Sequence, residues 1–416
     1  MNIKHDLQKK RSYIWSDNWY LDGDKAWFIS GSMDILFCLD LKTKETAWID
    51  AIPLVDENTF RQHPRCLKYK DVIICLPDLA NDIKFYHLSD NSLTGISINN
   101  SEKIRIACSN AWIIQEKLYI VSNGLKQIIE IDLEKECVSN YRDLPAEVND
   151  RISGSSIVGN FIYLAGVSPV VIYRFDCIQK DIKIYNISQI EDEIQTLSYD
   201  GEKFWLSGKR KKIYVWNEKT DQVIFLDSFP ESFGVWNFSG KYKRLFNPID
   251  EVLDIPLFLY SVSVGDYVWF IPFQTNEILY IDKNTFEINQ FSLQEEDHME
   301  ENIRKQLLEH KYLLEYVRGD RYIGLYSLKN RRIFEIDSQK LAYEVFDYKL
   351  HRHQISLNII KNLWNQTDIV LEEEIYNLYI WLKGFLLIND KGLKEENHGK
   401  EKRIGQGTFD LLIDME

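Results

Sequence analysis

Large β-forming residues recur along the chain in runs of about five, each broken by a short polar turn. One junction repeats: a small turn carrying glycine and an acidic or amide residue, then a run of aromatic and branched residues. It reads Gly23-Asp24-Lys25-Ala26-Trp27, Gly159-Asn160-Phe161-Ile162-Tyr163, Gly201-Glu202-Lys203-Phe204-Trp205, Gly265-Asp266-Tyr267-Val268-Trp269 and Gly319-Asp320-Arg321-Tyr322-Ile323. Two weaker copies, Lys70-Asp71-Val72-Ile73-Ile74 and Glu116-Lys117-Leu118-Tyr119-Ile120, lack the glycine. A Gly-Asp step supplies the positive φ that a tight hairpin requires, so each junction predicts a β-turn between two strands.

A second landmark follows each turn. An apolar strand ends in Asp or a polar stand-in: Asp40, His87, Asp132, Asp176, Asn217, Asp282 and Asp337. The intervals between the two landmarks are 17, 17, 16, 17, 16, 17 and 18 residues. Each unit resolves into four strands, a to d. In the second unit these are 65–69, 72–76, 83–88 and 92–98; in the fifth they are 195–199, 203–207, 212–217 and 222–229. Short turn-bounded strands repeating every ~40–50 residues are the signature of propeller blades, and one blade cannot bury both of its faces alone. The expected fold is all-β: a seven-bladed β-propeller of four-stranded antiparallel blades over residues 12–348.

Segments such as Ile278-Leu279-Tyr280-Ile281-Asp282-Lys283-Asn284-Thr285 resemble the repeats of YVTN, PQQ and NHL-type propellers. The Trp-Asp pair of WD40 blades and the double glycine of kelch blades are absent. The resemblance implies a fold and no activity, because propellers host binders, scaffolds, hydrolases and lyases alike.

Two spacings break the period. One is Pro230–Pro256, the other 294–311, where Met299, Ile303, Leu307 and Leu308 fall at helical spacing and predict an amphipathic helix. Residues 349–416 read as a short helical tail. Ile355, Ile359 and Leu363 mark one helix; Leu371, Ile375, Leu378, Leu382 and Phe385 mark a second, opened by Thr367 or Asp368. A closing strand at Thr408–Ile413 is expected to cover a blade edge.

A net charge of −14 excludes a general nucleic-acid binder, which needs an excess of Lys and Arg. No window holds the ~18 apolar residues of a membrane span, and the first residues lack a signal-peptide core, so a cytoplasmic protein is expected. Six scattered cysteines without a CxxC pair read as small buried residues; no metal and no cofactor is expected.

Candidate chemistry gathers on one face. Strands alternate in direction, so the a–b and c–d turns, short and uniform, share one side of the ring, and the variable b–c and d–a loops share the other. The b–c/d–a face carries Arg61, Arg65, Lys209, Arg210 and Arg331 beside carboxylates, with Trp236 and Tyr242 placed to stack on a ligand. These predict binding of a polar, anionic or glycan-like small molecule, or of a protein segment. His63, Asp34 and Asp78 are the candidates for acid–base chemistry in a hydrolase or lyase alternative, with Asp34 paired to Asp78 or Asp82 across a glycosidic bond. A third reading is a scaffold or dimerisation protein acting through its C-terminal helices. No GxSxG, P-loop or GxGxxG motif is present.

Overall fold

The computed structural model describes residues 16–350 apart from 17, 31–33, 54–61, 99–105, 146–151, 167–169, 237–241, 245–252, 254–255, 274, 276, 294–311, 328–331 and 348. The expected helix at 294–311, the tail helices and the strand at Thr408–Ile413 lie outside the described residues, which contain strands and no α-helix.

Strands fall into seven consecutive blades, with strand a innermost and strand d at the rim. Blade one is β1 (Tyr20–Asp22), β2 (Lys25–Ile29), β3 (Ile35–Asp40) and β4 (Glu45–Ala51). Blade two is β5 (Arg65–Tyr69), β6 (Val72–Leu76), β7 (Asp82–His87) and β8 (Leu93–Ser97). Blade three is β9 (Cys108–Ile114), β10 (Lys117–Ser122), β11 (Gln127–Asp132) and β12 (Cys137–Asp143). Blade four is β13 (Ile152–Val158), β14 (Phe161–Gly166), β15 (Val171–Asp176) and β16 (Ile182–Asn186). Blade five is β17 (Thr196–Tyr199), β18 (Phe204–Ser207), β19 (Ile213–Asn217) and β20 (Gln222–Leu226). A two-stranded hairpin, β21 (Gly234–Trp236) and β22 (Tyr242–Arg244), intervenes. Blade six is β23 (Phe258–Val264), β24 (Tyr267–Pro272), β25 (Ile278–Asp282) and β26 (Ile288–Phe291). Blade seven is β27 (Tyr312–Arg318), β28 (Tyr322–Ser327), β29 (Arg332–Asp337) and β30 (Ala342–Phe346). All pairs within blades are antiparallel. A final β31 (Lys349–Leu350) runs parallel to β4 along the rim of blade one.

The ring follows from how the core divides. Seven apolar clusters each join two successive blades, and the seventh seam joins Leu313, Tyr316, Tyr326 and Ile333 of blade seven to Phe28, Phe37 and Trp48 of blade one. Every blade thus buries both faces against neighbours, and no blade is terminal. The last seam carries its own clasp. Trp19 stacks on Phe28 and Tyr316 with ring centroids 4.9 and 5.2 Å apart. Its indole N–H donates to Ser16 Oγ, which donates to the buried Glu315 carboxylate.

The two sequence landmarks are two turn devices. Five a–b turns place their glycine at positive φ, and the copies lacking glycine force Lys70, Gln115 and Glu116 into the same region. At the c–d turn the landmark Asp or Asn accepts two backbone N–H groups from the residues two and three places on. Asp40, Asp132, Asp176, Asn217, Asp282 and Asp337 all do so. Blade two has His87 there, and Asp90 caps the turn through Ser92 N. Four places after every landmark stands a residue with φ between +47 and +62: Lys44, Asn91, Glu136, Lys180, Asp221, Phe286 and Leu341.

The a–b turn of blade three holds two non-glycine residues at positive φ, Gln115 (φ 48) and Glu116 (φ 63). Each costs roughly 1–2 kcal/mol, and Asn-Gly is the pair suited to such a turn. Gln115→Asn with Glu116→Gly is expected to stabilise the fold by about 1 kcal/mol, read as a higher urea midpoint at unchanged slope. An unchanged or lower midpoint would contradict the turn geometry.

Candidate functional site

The b–c/d–a face is built differently from its opposite. Where blades one and two meet, Asp34 is fully buried with φ +49, and its carboxylate accepts the backbone N–H groups of His63 (2.8 Å) and Gln62 (3.3 Å). The loop entering blade two is thereby hung on blade one. The His63 ring is completely buried, and its Nε2 lies 3.1 Å from the Asp82 carbonyl and 3.2 Å from Asp82 Oδ1. Both are acceptors, so Nε2 carries a proton, and Nδ1 has no hydrogen-bond partner among the described residues. Lys84 Nζ sits 2.6 Å from Asp82 Oδ2. Burial pushes the Asp82 carboxyl up, but the bonds from His63 and Lys84 outweigh it and hold the group below the usual range.

Asp78 is half-buried and joins the same loop through its backbone: its N–H donates to the Gln62 carbonyl (2.9 Å) and its carbonyl accepts Ala107 N (3.1 Å). Arg65 reaches across to blade three, where Nη1 donates to the Cys108 carbonyl at 3.3 Å. The structure therefore brings His63, Asp34, Asp78 and Asp82 together at one seam. Asp82, not Asp78, is the carboxylate at the imidazole. Arg61 and Arg331 lie outside the described residues.

A second cluster sits where blade four hands over to blade five. Asp192 Oδ1 accepts the N–H groups of Glu193 (2.7 Å) and Lys209 (2.9 Å); Oδ2 accepts Arg210 N (3.2 Å) and the Tyr214 hydroxyl (3.0 Å). Burial pushes this carboxyl above its usual range in spite of the four donors. One buried carboxylate thus fixes the backbone of the basic b–c loop Lys209-Arg210-Lys211. Lys209 Nζ pairs with Glu193 at 2.7 Å. Lys211 is only 3% exposed, with its ammonium 5.5 and 6.0 Å from the centroids of Phe229 and Phe233.

The Pro230–Pro256 insertion rises beside this loop. Phe233 and Val235 are buried in the seam between blades five and six, and Val235 bridges to Thr275 in the b–c loop of blade six. Leu253 N donates to the Lys209 carbonyl at 3.0 Å. The hairpin β21–β22 pairs Trp236 directly with Tyr242 in its backbone register. Lys209, Arg210, Trp236 and Tyr242 therefore belong to one loop cluster, while Arg65 and His63 belong to the seam of blades one to three. Sequence reasoning missed Asp192; an Asp within the acidic run Glu191-Asp192-Glu193 carries no local sign that its partners lie 17 and 18 residues on.

The opposite face has its own buried charges. Glu130 lies between Lys117 and Lys180, and Glu218 accepts Tyr163, Tyr185 and Arg174. Glu335 accepts the Tyr316 hydroxyl (2.7 Å) and Arg318 (2.9 Å). Glu130 and Lys180 lie on different blades, as do Glu218 and its three donors, so these groups join blades and are consumed by one another.

No family model matches the chain, and no curated protein matches it. Solved structures resemble it at low identity. BamB from Moraxella catarrhalis is 12% identical, covering 75% of this chain and 82% of its own, with a TM-score of 0.48. PorZ, a component of the type-IX secretion system of Porphyromonas gingivalis, is 10% identical over 82% of this chain and 39% of its own, TM-score 0.49. The dihydro-heme d1 dehydrogenase NirN, solved in complex with DHE, is 14% identical over 82% of this chain and 76% of its own, TM-score 0.47. The likeness is one of fold. The chain is a seven-bladed β-propeller of four-stranded antiparallel blades.

Proposed function

We propose that the protein is a binding propeller whose b–c/d–a face takes a polar, anionic ligand at the loop Lys209–Lys211. One observation supports this above the others: Asp192 pins the loop backbone through the N–H groups of Lys209 and Arg210, so the half-buried Arg210 is carried on a fixed frame. Pre-set cationic groups lose little freedom on meeting an anion, which is how rigid scaffolds gain affinity from loops. The backbone register of the hairpin beside the loop pairs two aromatic residues, Trp236 and Tyr242, a residue type suited to stacking on a sugar or ring. Arg65, whose guanidinium reaches from blade two to the Cys108 carbonyl of blade three, adds a cation at a separate seam of the same face. The complete burial of the His63 ring favours binding over general acid–base chemistry, which requires substrate within hydrogen-bond reach.

The test is a thermal-shift titration with inorganic phosphate, citrate and glucuronate, with glucose as the neutral control. An anion that binds the native state raises Tm with the logarithm of its concentration. Arg210→Ala with Trp236→Ala is expected to weaken that response about tenfold, since each 1.4 kcal/mol is one decade. Equal shifts for glucose and glucuronate, or an unaltered response in the double variant, would remove this assignment.

A further inference from the structure

The rim of the ring presents the outer edges of the d strands, and the protein protects them unequally. An edge strand offers unpaired N–H and C=O groups, and natural sheets guard such edges with charge, brevity or cover. The edge of blade one is covered by β31. β12 carries Arg142 and Asp143, β16 carries Lys183, and β30 carries Glu344. β26 has four residues, and β8 contains Gly95 and exposes no large apolar side chain. Among the described residues, β20, Gln222-Val223-Ile224-Phe225-Leu226, has none of these guards. It holds no charged residue, and Ile224 and Phe225 are 40% and 47% exposed on its two faces.

From this we infer that β20 is a docking edge for an extended peptide segment of another protein, an apolar, β-branched core flanked by Lys or Arg. The flanks follow from charge. β20 is bracketed by Asp221 and Asp227, both exposed. Antiparallel pairing with a second copy about Ile224 would set Asp221 against Asp227 of that copy, and like charges directly opposite are destabilising. The chain's own segment Thr408–Ile413 is no better matched: it contains Asp410 and is followed by Asp414 and Glu416. A basic-flanked strand meets both aspartates favourably, on a protein whose net charge of −14 also steers cationic segments toward it. Backbone hydrogen bonds along the edge then supply affinity, and contacts to Ile224 and Phe225 supply selectivity. This rim site is separate from the ligand face and stands or falls without it.

The probe is a capped octapeptide, Lys-Lys-Val-Thr-Val-Val-Lys-Lys, followed by fluorescence anisotropy and amide hydrogen exchange on the full chain. Saturable binding with slowed exchange in β20 is expected. Binding should fall at least ~10-fold when the lysines become glutamates, when alternate peptide amides are N-methylated, or in Ile224→Lys; this is one decade for about 1.4 kcal/mol. Because Ile224 is exposed, Ile224→Lys should keep the parent Tm, and Gln290→Lys on the rim of blade six should bind the peptide as the parent does. Equal affinity for the glutamate peptide, equal affinity in Ile224→Lys, or no binding would each overturn the inference. So would a concentration-dependent dimer that protects β20 without peptide, which would assign the edge to self-association.

Discussion

Gly324→Ala is expected to destabilise the protein by about 3 kcal/mol and to open the seam between blades seven and one. A Cβ at Gly324 would lie 2.1 Å from Tyr316 Cε1 and 2.3 Å from its Cζ. The ring has nowhere to retreat. It is almost fully buried, Trp19 is stacked against it at 5.2 Å, and its hydroxyl donates to Glu335 Oε2 at 2.7 Å. At the equivalent place in strand b, blades four, five and six carry Tyr163, Trp205 and Trp269; blade seven leaves the space empty and fills it with Tyr316 from strand a. Overpacking costs about 1–3 kcal/mol, and a displaced ring forfeits about 1 kcal/mol each from stacking and from its hydrogen bond. Urea unfolding measures the loss. The cause is isolated by repeating the substitution in Tyr316→Ala, where Gly324→Ala should be nearly neutral; additive losses would place the effect elsewhere.

The same contrast, between features written locally and features assembled across the ring, decides what was legible in the sequence. Strand positions were legible because turns punctuate them: blade two was expected at 65–69, 72–76, 83–88 and 92–98, and its strands are Arg65–Tyr69, Val72–Leu76, Asp82–His87 and Leu93–Ser97. Strand d of blade five was expected to reach residue 229 but ends at Leu226, where Phe229 N turns back to the Asp227 carbonyl before Pro230. The landmark aspartates were visible; their chemistry, two N–H groups held per carboxylate, explains the near-constant interval. The left-handed residue four places later was invisible, because Lys44, Phe286 and Leu341 share a conformation and no side-chain property. The interruption of the period at Pro230–Pro256 left room for extra strands, and the hairpin β21–β22 lies there.

The candidate site was legible as a face and not as a set of contacts. Loop lengths predicted which side would carry variable chemistry. That His63 would turn its ring to Asp82, or that Asp192 would fix the loop at Lys209, depends on seams between blades, and sequence spacing says nothing about which loop ends meet there. The buried ion clusters left a fainter sign. Strands c of blades three, four and seven read Ile-Glu-Ile-Asp, Tyr-Arg-Phe-Asp and Phe-Glu-Ile-Asp, each with one charge inside an apolar run. A charge there is tolerated only with a partner, and the partner comes from another strand or blade.

Glu130 tests that last point most directly. Glu130→Ala is expected to lower stability by about 3 kcal/mol at neutral pH, because truncating one member of a buried ion cluster leaves the others uncompensated. The side chain is only 6% exposed, whereas Lys117 and Lys180 are about one-third exposed and can turn to water, which sets the loss at the lower end of the usual range. Ser139 Oγ loses an acceptor at 3.0 Å, and the Lys180 ammonium keeps the Tyr119 hydroxyl at 2.6 Å. The pH dependence has a definite sign. Burial pushes the Glu130 carboxyl up, but its bonds to Lys117 and Lys180 outweigh this and hold it below the ordinary glutamate range. Between that folded value and the unfolded value of about 4.3 the unfolded chain binds more protons, so stability rises with pH there. The contribution is complete above the unfolded value and is lost as pH falls through the folded one. Asp82 and Glu218 shift in the same direction, so the parent weakens in acid for several reasons at once. Glu130→Gln keeps the shape, removes the charge and isolates one of them. Urea midpoints of parent and Glu130→Gln should differ most above the unfolded value of about 4.3 and converge as pH falls below it through the depressed folded value. A gap that stays constant across that range would mean that the side chain's shape, and not its charge between two lysines, holds blades three and four together.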